Sequence, residues 1–447
     1  MTAFQSSSPH VVEPMAAAVL DRSLINAHGE SFRYLVVTVR APKATKTAGP
    51  RLPFDLGLVL DASGSMRGER LDAARSAVRK LLDALQPDDR VSLVSFADDV
   101  VVHTPAVALD ASGTSTLQLA LDALQTRGST DLAAGWLQGC ECVAQRRAKA
   151  GRLERDHVFL FSDGHANLGI VDPNLLAGHA NALRERGVPT STIGIGGGYS
   201  PVQLQAIAEA GGGRMHDAER PEEIAEIVLA ELGDARDTVL QDVELDLDLP
   251  PGVEAFAFGT ARVRPRPRGL SVLLGAMLGD AERTLVVRLR CPAGHLGETL
   301  AVAPTLFWKV AATGEIGNRA LPACTLTFAL PHQCVQQPRD LAASTAAAMQ
   351  WQVWVLHWSM QQNQDGDLRG AQLFVAEQLR HLQRYCEGLP EGHRFIDALR
   401  RLLPTLERRY DVRVGKEVML ASYKRGRGEF DKRSMMRDDA NDFLPPQ

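Results

Sequence analysis

The sequence predicts an α/β domain with a doubly wound, mostly parallel sheet, together with an accessory antiparallel β unit and a C-terminal helical region. Three observations support this prediction. Apolar strand-like runs alternate with amphipathic helix-like segments from about residue 54 to 233, residues 234–335 contain strands with period-two patterning, and the chain becomes helical from about residue 339. At 447 residues, the chain is long enough for about three domains.

The domain boundaries follow these changes of pattern. An early strand at 32–39 has no sheet of its own before the α/β domain, and its natural partners come after Gly233. The α/β domain is therefore predicted to be inserted into the β unit. The predicted segments are a flexible N-terminus (1–14), strands that join the β unit (15–50), the α/β domain (51–233), the antiparallel β unit (234–335), the helical region (338–425) and a flexible tail (426–447).

The α/β region alternates strands with helices. Its strand-like runs are almost continuously apolar, which is typical of strands covered by helices on both faces. In the first helix Leu71, Ala74, Val78 and Leu81 recur at three- and four-residue steps, so one face of that helix is apolar. The predicted strands cover 54–60, 90–97, 101–105, 156–162 and 189–196, and the predicted helices cover 68–86, 115–125, 131–150, 174–187, 200–211 and 221–235.

The patterning after residue 233 is different. Val243, Leu245 and Leu247 alternate with acidic residues, as in an antiparallel strand with one buried face. The other strands predicted for this unit lie at 283–292, 298–311 and 320–331, and the helices that follow lie at 340–362, 367–388 and 392–414.

Composition and charge narrow the range of partners. The net charge of −5 makes the chain a poor electrostatic match for nucleic acid, and no apolar run has transmembrane length, so we expect neither nucleic acid nor a membrane as partner. The first residues lack the basic segment and the long apolar run of a signal peptide. The six cysteines contain no CxxC pair, which is typical of reduced thiols in a cytoplasmic protein.

Oxygen-bearing side chains lie at the predicted strand ends. Asp61 ends the first strand, Ser63 and Ser65 follow it in the loop before a helix, Thr130 precedes another helix, and Asp163 ends a later strand. Because the carboxyl ends of parallel strands meet at one edge of the sheet, these loops can converge there. Carboxylate and hydroxyl oxygens suit Mg²⁺ or Mn²⁺, with Ca²⁺ as an alternative, better than Zn²⁺.

This combination resembles the metal-ion-dependent adhesion site of the von Willebrand factor A (vWA) domain. The DxSxS run, the threonine of the later "GST" and the aspartate of "FSDG" match its five ligand positions over a region of about residues 54–233. The resemblance implies a vWA, Rossmann-like fold. It implies that Ser63 and Ser65 coordinate the metal directly, and that Asp61, Thr130 and Asp163 bind it directly or through water.

The rest of the chain resembles the C-terminal regions of bacterial vWA proteins and of the plant RING-type vWA proteins related to WAVY GROWTH. That resemblance lies in the architecture and in scattered positions. The RING pattern of cysteine and histidine is missing from the sequence, so ligase activity is not expected.

The sequence is compatible with three functions. The first is a cytosolic interaction module in which an Asp or Glu of a partner protein completes the coordination of the metal. The second is a Mg²⁺-dependent phosphohydrolase with Asp61 as nucleophile, although phosphatases of that type carry an aspartate where Ser63 stands in this chain. The third is an adaptor subunit of an AAA+ ATPase or of a kinase/phosphatase system, in which the partner would hydrolyse the nucleotide because this chain has no P-loop.

Overall fold

The computed structural model describes residues 13–43, 52–150, 155–163, 166–196, 201–218, 221–259 and 262–410. The predicted flexible tail at 426–447 and nearly all of the predicted flexible N-terminus lie outside these residues. The chain forms two compact units. The inserted unit is Thr45–Asp237, and the split unit combines Met1–Ala44 with Thr238–Gln447.

The helices and strands fall into three consecutive groups along the chain. The split unit begins with strands β1 (Met15–Leu20), β2 (Leu24–Asn26) and β3 (Ser31–Arg40). The inserted unit contains β4 (Phe54–Asp61), α1 (Glu69–Ala84), β5 (Arg90–Phe96), β6 (Val100–Ala108), α2 (Ala111–Asp122), α3 (Leu132–Ala150), β7 (Arg155–Ser162), α4 (Pro173–Glu185), β8 (Thr190–Ile195), α5 (Pro201–Ala210), β9 (Gly212–Ala218) and α6 (Pro221–Asp237). The split unit resumes with β10 (Thr238–Asp248), β11 (Glu254–Ala257), β12 (Arg262–Arg266), β13 (Gly269–Leu278), β14 (Glu282–Cys291), β15 (Thr299–Val310), β16 (Ile316–Ala320), β17 (Cys324–Ala329), α7 (Pro331–Gln336), α8 (Leu341–Gln364), α9 (Leu368–Cys386) and α10 (Gly392–Thr405).

The inserted unit is built on one sheet with the strand order β6-β5-β4-β7-β8-β9. Its neighbouring strands are parallel except β5 and β6, which are antiparallel. Apolar residues of α1, α2 and α6 pack on one face of the sheet, and those of α3, α4 and α5 pack on the other. The predicted doubly wound, mostly parallel α/β sheet is therefore confirmed.

Strand β9 is missing from the sequence-based prediction. It begins with two glycines and carries Arg214, His216 and Asp217, so it has no apolar run. It lies at the edge of the sheet, where it pairs with β8. A Cβ atom added at Gly213 would lie 2.2 Å from the carbonyl oxygen of Thr190, so this close approach to β8 requires glycine.

Helix α3 also approaches the sheet at glycine positions. A Cβ atom added at Gly135 would lie 2.3 Å from the ring of Phe96, and one added at Gly139 would lie 2.2 Å from the Val59 side chain. Phe96 and Val59 are completely buried. The ring and the helix backbone are thus packed at a distance that leaves no room for a methyl group.

Gly135→Ala is expected to lower the free energy of unfolding of the inserted unit by about 1–2 kcal/mol. Overpacking costs about 1–3 kcal/mol, and the better helix propensity of alanine offsets up to about 1 kcal/mol of it. Gly178→Ala in α4 is the matched control, because nothing lies within 4 Å of an added Cβ atom there. Denaturant unfolding should show the control to be neutral or slightly stabilised, and a Gly135 variant as stable as the control would contradict this packing argument.

The split unit contains two sheets. The first has the order β1-β3-β14-β11, and the second has the order β12-β13-β10-β15-β17-β2 with β16 paired to β15. The predicted early strand does pair with a strand that follows the inserted unit, because β3 and β14 run antiparallel from Ser31 opposite Cys291 to Arg40 opposite Glu282. Strand β13 is also missing from the sequence-based prediction, and it pairs with β10 through several register shifts.

The residues of β3 face two cores. Val37 and Val39 pack with residues of the second sheet, whereas Tyr34 and Val36 pack with Trp351 and other residues of α8, α9 and α10. The split unit therefore has three layers, which are sheet, sheet and helices. All six cysteines are free and buried. Within the described ranges, no helix combines the length and hydropathy of a membrane-spanning segment.

Candidate metal centre

The candidate centre lies where β4 and β7 end side by side. Leu60 pairs with Phe161 in the parallel register, which places Asp61, the last residue of β4, beside Ser162 and next to Asp163. Strand β4 has β5 on one side and β7 on the other, so the direction of winding changes at β4. This is the position at which open α/β sheets bind their ligands.

A continuous series of hydrogen bonds joins four of the five predicted site residues. The backbone N–H of Ser63 donates to Oδ1 of Asp61 at 2.8 Å. The Ser63 and Ser65 hydroxyl oxygens lie 3.0 Å apart, and the Ser65 hydroxyl donates to Oδ1 of Asp163 at 2.7 Å. Two carboxylates and two hydroxyls from separate loops thus come together at the sheet edge.

The loop that carries Thr130, the fifth predicted residue, contacts the loop after β4. The N–H of Gly64 donates to the carbonyl of Gly128 at 3.2 Å, which holds the loop after β4 against the loop before α3. The N–H of Thr130 donates to Oδ1 of Asn167 at 2.9 Å, and its carbonyl accepts the N–H of Asn167 at 3.2 Å. Within the described residues the Thr130 hydroxyl forms no hydrogen bond, although the residue is only 5% exposed.

The two carboxylates are shielded from solvent. Asp61 is completely buried and Asp163 is 2% exposed, whereas Ser65 is exposed at the rim. Burial raises the pKa of Asp61, the hydrogen bonds from Ser63 and Ser162 oppose that rise, and the neighbouring charge of Asp163 adds to it. Two buried carboxylates close to each other favour a cation between or beside them.

Sequence reasoning missed two residues that contact these carboxylates. Ser162 donates its hydroxyl to Oδ2 of Asp61 at 2.7 Å, and Arg70 forms an ion pair with Oδ2 of Asp163. Ser162 could have been noticed because it directly precedes Asp163. Arg70 lies in the first turn of α1, five residues after Ser65, and only the folded arrangement shows that its side chain turns back to the centre.

An exposed acidic residue also lies near the loop that carries Thr130. A Cβ atom added at Gly128 would lie 2.2 Å from Oδ1 of Asp98, so this carboxylate rests against the glycine backbone. A side chain at Gly128 would therefore displace the exposed Asp98 carboxylate from its present position.

Comparisons with known proteins identify the type of domain that the inserted unit forms. Residues 55–229 match the model of the von Willebrand factor type A domain. An uncharacterized protein of Synechocystis sp. is 30% identical over 251 residues, which cover 54% of this chain and 57% of that protein. The uncharacterized protein YfbK of Escherichia coli is 29% identical over 202 residues, which cover 44% of this chain and 34% of YfbK. The chain therefore matches less than two thirds of the length of either relative.

A solved structure covers almost the whole chain. The von Willebrand factor type A protein from Catenulispora acidiphila superposes with a TM-score of 0.65 at 16% sequence identity, covering 94% of this chain and 98% of that one. At this identity the likeness concerns the fold alone.

Proposed function

Because residues 55–229 form a von Willebrand factor type A domain, we propose that the chain is a metal-dependent protein-interaction module. In this proposal Asp61, Ser63, Ser65, Thr130 and Asp163 hold a divalent cation, and an Asp or Glu of the partner protein binds at the same place. The observation that carries the proposal is the hydrogen-bonded series from Asp61 to Asp163, which brings four of these side chains to one sheet edge.

The donor set fits a hard cation. It consists of carboxylate and hydroxyl oxygens, the ligands that Mg²⁺ and Mn²⁺ take in proteins, and Ca²⁺ is an alternative. When bound, such a cation supplies an electrophilic position for a carboxylate oxygen. Asp61 and Asp163 would neutralise its charge, whereas the hydroxyls of Ser63, Ser65 and Thr130 contribute no charge of their own.

The surroundings of Asp61 and Ser65 are consistent with these proposed roles. The Ser63 N–H and the Ser162 hydroxyl hold both oxygens of Asp61 in place, which favours a fixed carboxylate. The exposed Ser65 lies where a partner can approach. We further propose a cytoplasmic location, which six free cysteines support.

The phosphohydrolase alternative receives less support. A nucleophilic Asp61 would need one free oxygen directed at the substrate, but the side chain is completely buried and both of its oxygens accept hydrogen bonds. The residue two positions later, where an acid/base aspartate would be needed, is Ser63. The adaptor role beside an ATPase or a kinase/phosphatase system remains compatible with the proposal, since it differs only in the identity of the partner.

Mg²⁺ or Mn²⁺ is expected to stabilise the inserted unit, and Ser63→Ala is expected to abolish that effect. Metal at ten times its dissociation constant should add about 1.4 kcal/mol to the free energy of unfolding. The measurement is thermal unfolding of the full chain with metal and with EDTA.

Ser129→Ala is the matched control for this experiment, because Ser129 is an exposed hydroxyl in the loop that carries Thr130. The control should keep the full metal-dependent shift. Equal metal-dependent shifts in the wild type and in the Ser63 variant would rule out the proposed centre.

A further inference from the structure

The charge of Asp163 is already matched by the protein itself. Nη1 of Arg70 forms an ion pair with Oδ2 of Asp163 and also donates to the Ser65 carbonyl oxygen at 3.2 Å. The Ser65 hydroxyl donates to the other carboxylate oxygen of Asp163 at 2.7 Å. Both oxygens of a carboxylate that is assigned to the metal are thus occupied by donors of this chain.

The two partners of this ion pair differ in exposure. The Asp163 side chain is completely buried, whereas the Arg70 side chain is 41% exposed. A buried carboxylate without a counter-charge is strongly unfavourable. In the metal-free protein, Arg70 supplies that counter-charge to Asp163. A guanidinium that reaches water on one side can supply that charge and can also leave.

The Arg70 side chain packs against the protein on one side and is open to solvent on the other. It extends from the first turn of α1 to the end of β8, where a Cβ atom added at Gly196 would lie 3.4 Å from its Nε atom. Gly196 has a φ of +76°, a conformation that favours glycine, and the Arg70 guanidinium lies close to its backbone.

We infer that Arg70 is a tethered counter-cation of the candidate metal centre, which neutralises Asp163 in the metal-free protein and competes with the divalent cation for it. The inference rests on the proposed function. A guanidinium and a divalent cation on the same carboxylate repel each other, so metal binding requires Arg70 to move towards solvent or to weaken its contact. Arg70 thereby lowers the affinity for metal and keeps the empty centre folded.

Loss of a counter-cation should change the affinity for metal and the stability of the metal-free protein in opposite directions. Removing the guanidinium should strengthen metal binding, because the competitor is gone. It should also lower the thermal stability of the metal-free protein, because Asp163 loses its counter-charge. Removal of a residue that only supports the local fold would lower both the affinity for metal and the stability of the metal-free protein.

The test is calorimetric titration of the full chain with Mn²⁺, together with thermal unfolding in EDTA. Arg70→Gln is expected to bind Mn²⁺ about tenfold more tightly than the wild type and to melt earlier in EDTA. Arg70→Lys keeps a charge and should stay closer to the wild type in both measurements. Arg70→Met keeps the aliphatic part of the side chain and provides a second neutral variant in case the glutamine variant folds poorly.

Arg67→Gln is the matched control, since it removes the same charge from an exposed arginine three residues earlier, and Arg67 forms no ion pair within the described residues. It should leave the Mn²⁺ affinity within about twofold of the wild type. Unchanged or weaker Mn²⁺ binding by both neutral Arg70 variants, with a binding wild type, would overturn the inference alone. Absence of Mn²⁺ binding in the wild type and in all variants would overturn the proposed metal centre as well.

Discussion

Glu231→Gln is expected to lower the free energy of unfolding of the inserted unit by about 3 kcal/mol, because it removes a buried negative charge from a closed hydrogen-bond network. Glu231 on α6 is 5% exposed. It accepts the Ser191 hydroxyl at 2.6 Å and contacts His216 Nε2 at 3.1 Å and Arg214 Nη1 at 3.5 Å. Burial alone would raise the pKa of Glu231, but His216 and Arg214 outweigh it and hold the pKa at about 2.

Asp234→Asn is the matched control. Asp234 also forms an ion pair with Arg214, but its side chain is 36% exposed. Water screens this pair, so we expect the control to cost less than about 1 kcal/mol. Hydrogen exchange of β7 and β8 reports on the inserted unit separately from the split unit. Equal loss of protection in the two variants would mean that the buried charge of Glu231 has no special importance.

The same network predicts acid sensitivity through His157. Its Nε2 atom lies 3.0 Å from the Ser191 hydroxyl, and burial lowers its pKa from the usual 6.5 to about 4. Between these values the unfolded chain binds a proton that the folded chain does not, so stability falls as the pH drops from about 6.5 towards 4. The depressed pKa of Glu231 acts in the same direction at still lower pH. In His157→Gln, the loss of stability over the first interval should be smaller.

The sequence predicts the inserted unit better than the split unit, for a physical reason. Strands such as β4 and β7 are covered by helices on both faces, so they are long apolar runs bounded by polar loops. Strand β9 lies at the sheet edge and is held by close glycine packing against β8, which leaves no hydrophobic periodicity to detect. Strand β13 starts at a glycine and pairs with β10 through register shifts that interrupt simple alternation.

The candidate site likewise has residues that the sequence predicts and contacts that it does not. Most of its oxygen-bearing residues lie at or just after the ends of β4 and β7, so the sequence predicts that they meet at one edge, since parallel strands end together. The contact from Ser162 to Asp61 joins residues 101 positions apart, and the ion pair of Arg70 with Asp163 joins residues 93 positions apart. Such contacts depend on the order of β4 and β7 in the sheet and on the direction of a long side chain, which no local pattern encodes.

Removal of divalent metal is expected to weaken binding of the partner protein by about 30- to 150-fold. A charge-assisted bond from a partner carboxylate to the centre should contribute about 2–3 kcal/mol in a partly dry cleft, and EDTA removes it. Asp61→Ala should have the same effect in the presence of Mg²⁺. The measurement is the dissociation constant of the protein that the full chain captures in Mg²⁺, determined in Mg²⁺ and in EDTA.

Thr130→Ala should distinguish partner binding from metal binding. The Thr130 hydroxyl forms no hydrogen bond within the described residues, and the residue is held by backbone hydrogen bonds with Asn167. Loss of the hydroxyl should therefore disturb the fold little. We expect this variant to weaken partner binding more than Mn²⁺ binding, because a hydroxyl that binds directly or through water adjusts the centre to the incoming carboxylate. Replacing one acidic residue of the partner should reproduce the effect of EDTA. If affinity is the same in Mg²⁺, in EDTA and with Asp61→Ala, the partner docks elsewhere and any metal at this centre serves stability alone.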